Sequence, residues 1–261
     1  MMVVVGIFLG LVAGSFLNVC ILRLPKKESI VLPASHCMAC QVPLTWYENI
    51  PVFSFLFLKG RCRHCLEHIS WQYPAVEALA AILFVIFLRT YGLTPQGVFY
   101  LLMTLALFVV AVIDARHKII PDEISLGGLA VGILASTVFP SLQAESNFIF
   151  GLLKSLLGAL VGGGVLYCAG SLVGRFLKKE AMGGGDVKLG GMIGAFLGFP
   201  GALWTVFVSS LIGSVVGFYL RSKSADEQIP YGPFLAVAAV SYLFFGQKLM
   251  MGYWSIVSGG S

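Results

Sequence analysis

Residues 3–22 read VVVGIFLGLVAGSFLNVCIL, an apolar run without a single charged residue. A helix of about twenty residues rises roughly 30 Å, the thickness of the hydrocarbon core of a bilayer. The run has no basic segment before it and continues into Arg23 without a small-residue cleavage site. We therefore expect a retained first membrane span rather than a secretory signal that is removed.

The rest of the chain repeats this apolar pattern. Of its 261 residues, 58% are hydrophobic and only 11% are charged, which lies far outside the composition of soluble domains. Because lipid offers backbone groups no hydrogen-bond partner, each apolar run should be a helix. The sequence predicts an all-α polytopic membrane protein with about eight transmembrane helices. These spans lie near residues 2–22, 75–90, 96–113, 123–139, 148–174, 187–199, 201–220 and 231–250.

Lysine and arginine predict the orientation of these spans. With the N-terminus outside, fourteen of the seventeen basic residues fall on the inner side, as the positive-inside rule requires. The net charge of +5 then reflects membrane insertion, and no stripe of basic and aromatic residues indicates nucleic-acid binding. The longest polar insertion, residues 23–73, should face the cytoplasm. The inner residues are Arg23, Lys26, Lys27, Lys59, Arg61, Arg63, Arg116, Lys118, Arg175, Lys178, Lys179, Lys188, Arg221 and Lys223, and the outer ones are Arg89, Lys154 and Lys248.

That insertion contains two C-x-x-C pairs, Cys37 with Cys40 and Cys62 with Cys65, separated by 21 residues. Two such pairs supply the four thiolates of a tetrahedral zinc site, and four cysteines leave no open position for catalysis. Disulfides or a redox pair are the alternative, but structural disulfides are rare in the reducing cytoplasm. We predict a structural zinc ion that stabilises a loop too small to form a secure core of its own.

Other cysteines and histidines receive less specific interpretations. Cys20 and Cys168 lie in apolar runs and are expected in the core as small hydrophobic residues. Three histidines beside the cysteine pairs could each replace a ligand, although solvated neighbours are the commoner case. They are His36, His64 and His68.

Two carboxylates stand at the ends of apolar runs. Asp114 follows FVVAVI at 108–113, and Asp186 follows three glycines at 183–185. The predicted topology places both at the cytoplasmic edge of the bilayer, where ionisable residues are functional candidates. Two close carboxylates in a partly dry site share one proton, as in aspartic proteases. The ionised member takes a proton from water, and the protonated member hydrogen-bonds the scissile carbonyl.

Structural roles compete with this interpretation. Asp114 could pair with Arg116 or Lys118 in its own turn, whereas Asp186 could cap a helix N-terminus or pair with Lys188. Taken singly, neither aspartate distinguishes a structural role from a catalytic one.

Asp122 is a third candidate acid, but its position after Pro121 predicts the N-cap of the fourth span. The glycines at 183–185 should permit close approach to Asp186 and positive φ angles. A glycine-rich phosphate loop is the rival interpretation, but no Walker pattern and no preceding strand support it.

Five stretches together resemble the type IV prepilin peptidases, which are GxGD-type intramembrane aspartyl proteases. This resemblance implies an enzyme of the bacterial inner membrane that removes the basic leader of prepilins or pseudopilins after a glycine. It makes Asp114 and Asp186 the catalytic pair and Asp122 a non-catalytic acid, with Gly183, Gly185 and Lys188 in support. The stretches are GSFLNVCILRLP at 14–25, WYENIPVFSFLFLKGRC at 46–62, ISWQYPAVE at 69–77, IDARHKIIPD at 113–122 and GGGDVKLGGMIGAFLG at 183–198.

The resemblance also implies methylation of the new N-terminal amine with S-adenosylmethionine. That activity is associated with the cysteine loop, including Gly60, and an acid such as Glu48 or Glu77 could orient or deprotonate the amine. The domain organisation would be a first span at 1–22, a zinc loop for methylation at 23–73 and a peptidase domain at 74–261.

Two other classes of protein remain possible on the residues alone. One is a proton-coupled transporter that uses the acids as a relay, and the other is a structural assembly subunit with a zinc docking loop. Proton relays usually lie near the middle of the bilayer, whereas both aspartates are predicted at one edge, which favours the peptidase. The sequence does not distinguish pilins from type II secretion pseudopilins as substrates.

Overall fold

The computed structural model describes residues 2–177, 182–221, 229–246 and 248–249. Within these ranges the regular structure is helical, so the all-α prediction is confirmed. The helices are α1 (Met2–Arg23), α2 (Phe53–Phe57), α3 (Gln72–Tyr91), α4 (Pro95–His117), α5 (Asp122–Val138), α6 (Phe148–Leu177), α7 (Gly184–Arg221) and α8 (Gly232–Ser241), which continues as a π-helix (Tyr242–Gly246).

Five helices in the described ranges are long and apolar enough to cross a membrane, namely α1, α3, α4, α6 and α7. The chain is therefore a multi-pass membrane protein. Helix α5 has 17 residues, and α8 with its π-helical extension is also shorter than these five. Helix lengths alone do not establish the predicted eight spans. Some of the predictions fall outside the described residues, namely Lys178, Lys179, Lys223 and positions 247 and 250 of the eighth span.

The chain forms two compact units, Met1–Leu101 and Leu102–Ser261. In the first unit, α1 packs against α3 through glycines spaced four residues apart. A Cβ atom on Gly10 would lie 2.4 Å from the Cα atom of Ala81, and one on Gly14 would lie 2.5 Å from the Cα atom of Glu77. The two backbones are thus in direct contact, which is how small residues hold membrane helices together.

Helix α7 of the second unit turns back on itself at Gly198, whose φ of 68° and ψ of −175° are not helical. A Cβ atom on Gly162 of α6 would lie 2.2 Å from the oxygen of Gly190 and 3.6 Å from the Cβ atom of Ala202. Those two α7 residues would be about 18 Å apart in a straight helix. The predicted spans at 187–199 and 201–220 therefore correspond to the two limbs of α7, before and after Gly198.

Side chains from elsewhere in the unit donate hydrogen bonds to the carbonyl of Ala195, three residues before the turn at Gly198. The Ala195 oxygen accepts the hydroxyl of Ser155 at 2.8 Å, the hydroxyl of Ser136 at 3.1 Å and the amide of Gln143 at 3.0 Å. All three polar side chains are buried, where an unpaired polar group would be costly. The Ala195 carbonyl therefore supplies each of them with a hydrogen-bond partner next to the break in α7.

Contact between α6 and α7 gives a testable stability prediction. A Cβ atom on Gly158 would lie 2.2 Å from the carbonyl oxygen of Gly194, so we expect Gly158→Ala to lower the free energy of unfolding by about 3 kcal/mol. The matched control is Gly164→Ala on the same helix, where nothing lies within 4 Å of the added Cβ. Its effect should stay within about 1 kcal/mol. Thermal unfolding in detergent measures both, and equal melting temperatures would contradict the packing described.

Candidate active site and cysteine cluster

Asp114 lies near the C-terminal end of α4 and is 5% exposed. Its Oδ2 atom accepts the backbone N–H of Gly232, the first residue of α8, at 2.8 Å. A Cβ atom at position 232 would itself lie 2.8 Å from this oxygen, so only glycine allows the approach without displacing the carboxylate. The start of α8 therefore orients Asp114.

Asp186 lies in the first turn of α7 and is half-buried. Its backbone N–H donates to the oxygen of Gly183 at 3.1 Å, and its carboxylate lies close enough to Asp114 for their charges to interact. Gly185 keeps this region compact, because a Cβ atom there would lie 2.9 Å from the Cβ atom of Ile120, which precedes α5. The end of α4 and the start of α7 thus lie near enough for the two carboxylates to interact.

The glycines before Asp186 act through their small size rather than through an unusual backbone. Positive φ angles in the described glycines occur at Gly60, Gly92 and Gly198 only. Gly183, Gly184 and Gly185 therefore do not use the positive φ angles that glycine permits. A helix that begins at Gly184 holds its first residues in ordinary helical geometry.

Lys188 pairs with Asp122, not with Asp186. Its Nζ atom lies 2.7 Å and 2.9 Å from the two carboxylate oxygens of Asp122. Asp122 is the first residue of α5, with Pro121 in the cap position, so its predicted N-cap role is wrong. The pair ties the start of α5 to the start of α7, but both side chains are substantially exposed, so its contribution to stability is small.

The four predicted zinc ligands, Cys37, Cys40, Cys62 and Cys65, form one cluster whose sulfur atoms all lie within 4.8 Å of one another. None is in a disulfide. The sulfurs of Cys37 and Cys65 are 3.8 Å apart, and a tetrahedral site with zinc–sulfur bonds of about 2.3 Å places its sulfurs about 3.8 Å apart. The arrangement fits a closed four-thiolate metal site, and no histidine belongs to this cluster in the described part of the chain.

Both cysteine pairs adopt the same turn. Cys37 donates its backbone N–H to the oxygen of Val42 at 3.0 Å, and Cys62 donates to the oxygen of Glu67 at 2.8 Å. Backbone N–H groups inside each turn point at the first sulfur, and that of Cys40 lowers the pKa of the Cys37 thiol to about 7. The turns thus favour, at the first cysteine of each pair, the thiolate form that a metal ion binds.

Gly60 and Glu48, the candidates for methyl transfer, both make structural contacts in the loop. Gly60 has a φ of 69°, and a Cβ atom there would lie 3.1 Å from the ring of Phe55. Glu48 accepts the hydroxyl of Thr45 at 2.6 Å and its backbone N–H at 2.9 Å, which closes a capping box. The Thr45 hydroxyl also lowers the pKa of Glu48. These contacts shape the loop.

The matches to known protein families include residues of both compact units. The family model described as "Type IV leader peptidase family" matches residues 101–218, and that described as "Bacterial Peptidase A24 N-terminal domain" matches residues 8–91. A "Prepilin leader peptidase/N-methyltransferase" of Xanthomonas campestris is 36% identical, over 94% of this chain and 92% of the relative. The chain belongs to the type IV leader peptidase family. Relatives of the same name from Legionella pneumophila and Pseudomonas aeruginosa are 33% and 34% identical, over 97% and 95% of this chain and 96% and 91% of theirs. No solved structure matches significantly.

In this family member the leader peptidase match contains both aspartates, and the N-terminal match contains all four clustered cysteines. Gly232 lies beyond the matched segment, and the sequence analysis did not identify it. The feature of the sequence that could have identified Gly232 is its position between Tyr231 and Pro233, at the start of an apolar run.

The two cysteines outside the cluster differ in burial. Cys20 is buried, as predicted for a core residue, whereas Cys168 is exposed on α6, so its predicted core position is wrong. An apolar run in a membrane helix can face lipid as well as protein, which makes burial there hard to predict.

Proposed function

We propose that this protein is an endopeptidase that cleaves the leader peptide of prepilins or pseudopilins after glycine, with Asp114 and Asp186 as its catalytic pair. The observation that carries this proposal is the interaction of these two carboxylates, which come from stretches more than seventy residues apart. The names of the relatives support the same chemistry, and they do not favour the transporter or structural-subunit alternatives.

Hydrolysis requires one carboxylate in each protonation state. The ionised member of the pair accepts a proton from the attacking water, while the protonated member donates a hydrogen bond to the scissile carbonyl oxygen. The backbone N–H of Gly232 fixes one oxygen of Asp114, so the other oxygen is left to face water or substrate. The proposed mechanism needs only the two acids and a water, and four cysteines at the cluster would leave no open coordination position for catalysis.

The charge pattern of a prepilin substrate is consistent with the orientation that the basic residues predict for the membrane spans. A leader rich in lysine or arginine stays in the cytoplasm, whereas the apolar segment that follows it lies in the bilayer. The bond to be cleaved then lies near the inner boundary of the membrane. When each limb of α7 crosses the bilayer, the chain has the eight predicted spans. With the N-terminus outside, Asp114, Asp186 and the cysteine loop would then all lie at this inner boundary.

We further propose that the loop at 23–73 binds structural zinc through its four cysteines and serves methylation of the new N-terminal amine, while 74–261 forms the peptidase domain. S-adenosylmethionine would supply the methyl group. The relatives are named as N-methyltransferases, and the spacing of the clustered sulfurs fits zinc. Gly60 and Glu48 would serve this activity by shaping the loop.

The test is to incubate the purified protein with a prepilin, with and without S-adenosylmethionine, and to weigh the products. We expect a shortened pilin in both reactions and one additional methyl group only when the donor is present. An uncleaved substrate would refute the peptidase assignment, and a cleaved but unmethylated product would refute the methyltransferase assignment.

Gly232 provides a prediction that depends on geometry rather than on the acids themselves. Gly232→Ala should lower the rate of leader cleavage about tenfold to a hundredfold, because the added Cβ displaces the Asp114 carboxylate. Binding of the prepilin should change little, so the loss should appear in kcat and not in KM. A matched control is Gly127→Ala on α5, where nothing lies within 4 Å of the added Cβ. Equal kcat in the two variants would contradict the proposed role of Gly232.

A further inference from the structure

An open cleft of about 260 Å³ lies in the first unit, where α1 meets the loop that follows it. Its helical side is formed largely by Val12, Phe16 and Val19, and its loop side includes Ser35 and Asn49. Pockets for drug-sized molecules measure about 300–1,000 Å³. This cleft is smaller, so it fits one apolar side chain with a small polar group better than it fits a whole nucleoside cofactor.

A buried carboxylate stands behind one wall of this cleft. Glu77 is 6% exposed and accepts the backbone N–H of Val52 at 2.7 Å, and the hydroxyl of Ser15 lies near its carboxylate. Ser15 and Pro51, the neighbour of Val52, both line the cleft. Neither ion pair found among the described residues involves Glu77. An acid at membrane depth that has only neutral donors is a candidate for binding a cation.

We propose that this cleft binds the free N-terminus of the cleaved pilin, with the apolar first side chain against α1 and the ammonium group on Ser15. The Ser15 oxygen accepts a hydrogen bond from the ammonium group, and the Glu77 carboxylate behind the cleft wall attracts its positive charge. The occupant therefore places an apolar side chain on the apolar wall and a positive charge near the buried carboxylate. This inference rests on the proposed N-methylation, and it places the amine to be methylated in the first unit.

A direct binding test uses photocrosslinking, which does not depend on methyl transfer. The probe is a synthetic peptide with a free N-terminus, p-benzoylphenylalanine as its first residue and an apolar segment after it. We expect it to label Val12, Phe16 or Val19 in the purified full-length protein. The same peptide with an acetylated N-terminus lacks the ammonium group and should label about tenfold less. Labelling elsewhere, or equal labelling by both peptides, would overturn the proposal.

A kinetic test uses peptide methylation by two variants. Glu77→Gln retains the size of the side chain and an acceptor for Val52, and it should raise KM for the free-amine peptide about 20-fold. KM for S-adenosylmethionine and the rate of leader cleavage should remain within about twofold. A purely structural role of Glu77 would instead change all three quantities together.

The second variant, Val12→Trp, fills the cleft and should raise the same peptide KM about tenfold. Its matched control is Phe8→Trp, an exposed position of the same helix that does not line the cleft. If the wild-type protein methylates no peptide, the proposed methyltransferase activity fails, whereas the crosslinking result still decides whether the cleft binds a free N-terminus. Normal peptide KM in both variants of an active methyltransferase would refute the cleft assignment alone.

Discussion

Asp186→Asn and Asp114→Asn should each lower the rate of prepilin leader cleavage by at least about 10³-fold. Asparagine has nearly the same size as aspartate, but it can neither accept the proton of the attacking water nor share a proton with its neighbour. The carboxylates interact electrostatically with each other, so the loss of either one removes the pair. Cleavage of a purified prepilin, followed by the mobility or mass of the product, measures the effect.

Two further substitutions serve as controls. Glu123→Gln changes an exposed acid at the start of α5, and it should leave the cleavage rate within about twofold of the wild type. Asp122→Asn breaks the exposed pair with Lys188 and should reduce the rate no more than about fivefold. Membrane insertion and the melting temperature should be normal in all four proteins. An inactive Asp122→Asn protein beside an active Asp186→Asn protein would show that the wrong pair has been assigned.

The second large effect concerns the metal site. Removal of the proposed zinc ion with a chelator, or the substitution Cys62→Ser, should lower N-methylation about 100-fold, because metal binding would supply much of the folding free energy of this loop. Leader cleavage should fall far less than it does in Asp186→Asn. Zinc content by atomic absorption and proteolysis of the loop give independent measurements of the site.

Cys168→Ser is the matched control for the cysteine prediction, since Cys168 is exposed on α6 and does not belong to the cluster. It should retain zinc, protease resistance and both activities. Zinc-free protein with normal methylation would contradict the proposed dependence of methylation on the metal site. A chelated protein that loses both activities equally would contradict the division between the loop and the aspartate pair.

The sequence predicts well those features that depend on neighbouring residues. An apolar run of twenty residues must form a helix in lipid, and two C-x-x-C turns must each present two sulfurs on one side, whatever the rest of the chain does. The helical elements near 72–91 and 148–177 and the four clustered cysteines therefore lie where the sequence predicts them. The bend in α7 also has a local signal, since Gly198 precedes Phe199 and Pro200 in an otherwise continuous run.

Contacts between distant residues were predicted less well. Lys188 could reach Asp186 in its own turn, and only the packing of α5 against α7 shows that it pairs with Asp122. The N-cap prediction for Asp122 failed because the preceding proline takes the cap position. Cys168 has the same apolar surroundings in sequence as Cys20, yet Cys20 is buried and Cys168 is exposed.

By itself, then, the sequence determined that this protein is a helical membrane protein with a four-cysteine loop and two acids at the ends of apolar runs. Tertiary structure alone decided that Gly232 orients Asp114, that Ser136, Ser155 and Gln143 bond the Ala195 carbonyl of α7, and that Glu77 lies behind a cleft. The physical reason is the range of the forces involved. Helix formation and metal-binding turns depend on a few adjacent residues, whereas these contacts exist only after helices from separate parts of the chain have packed together.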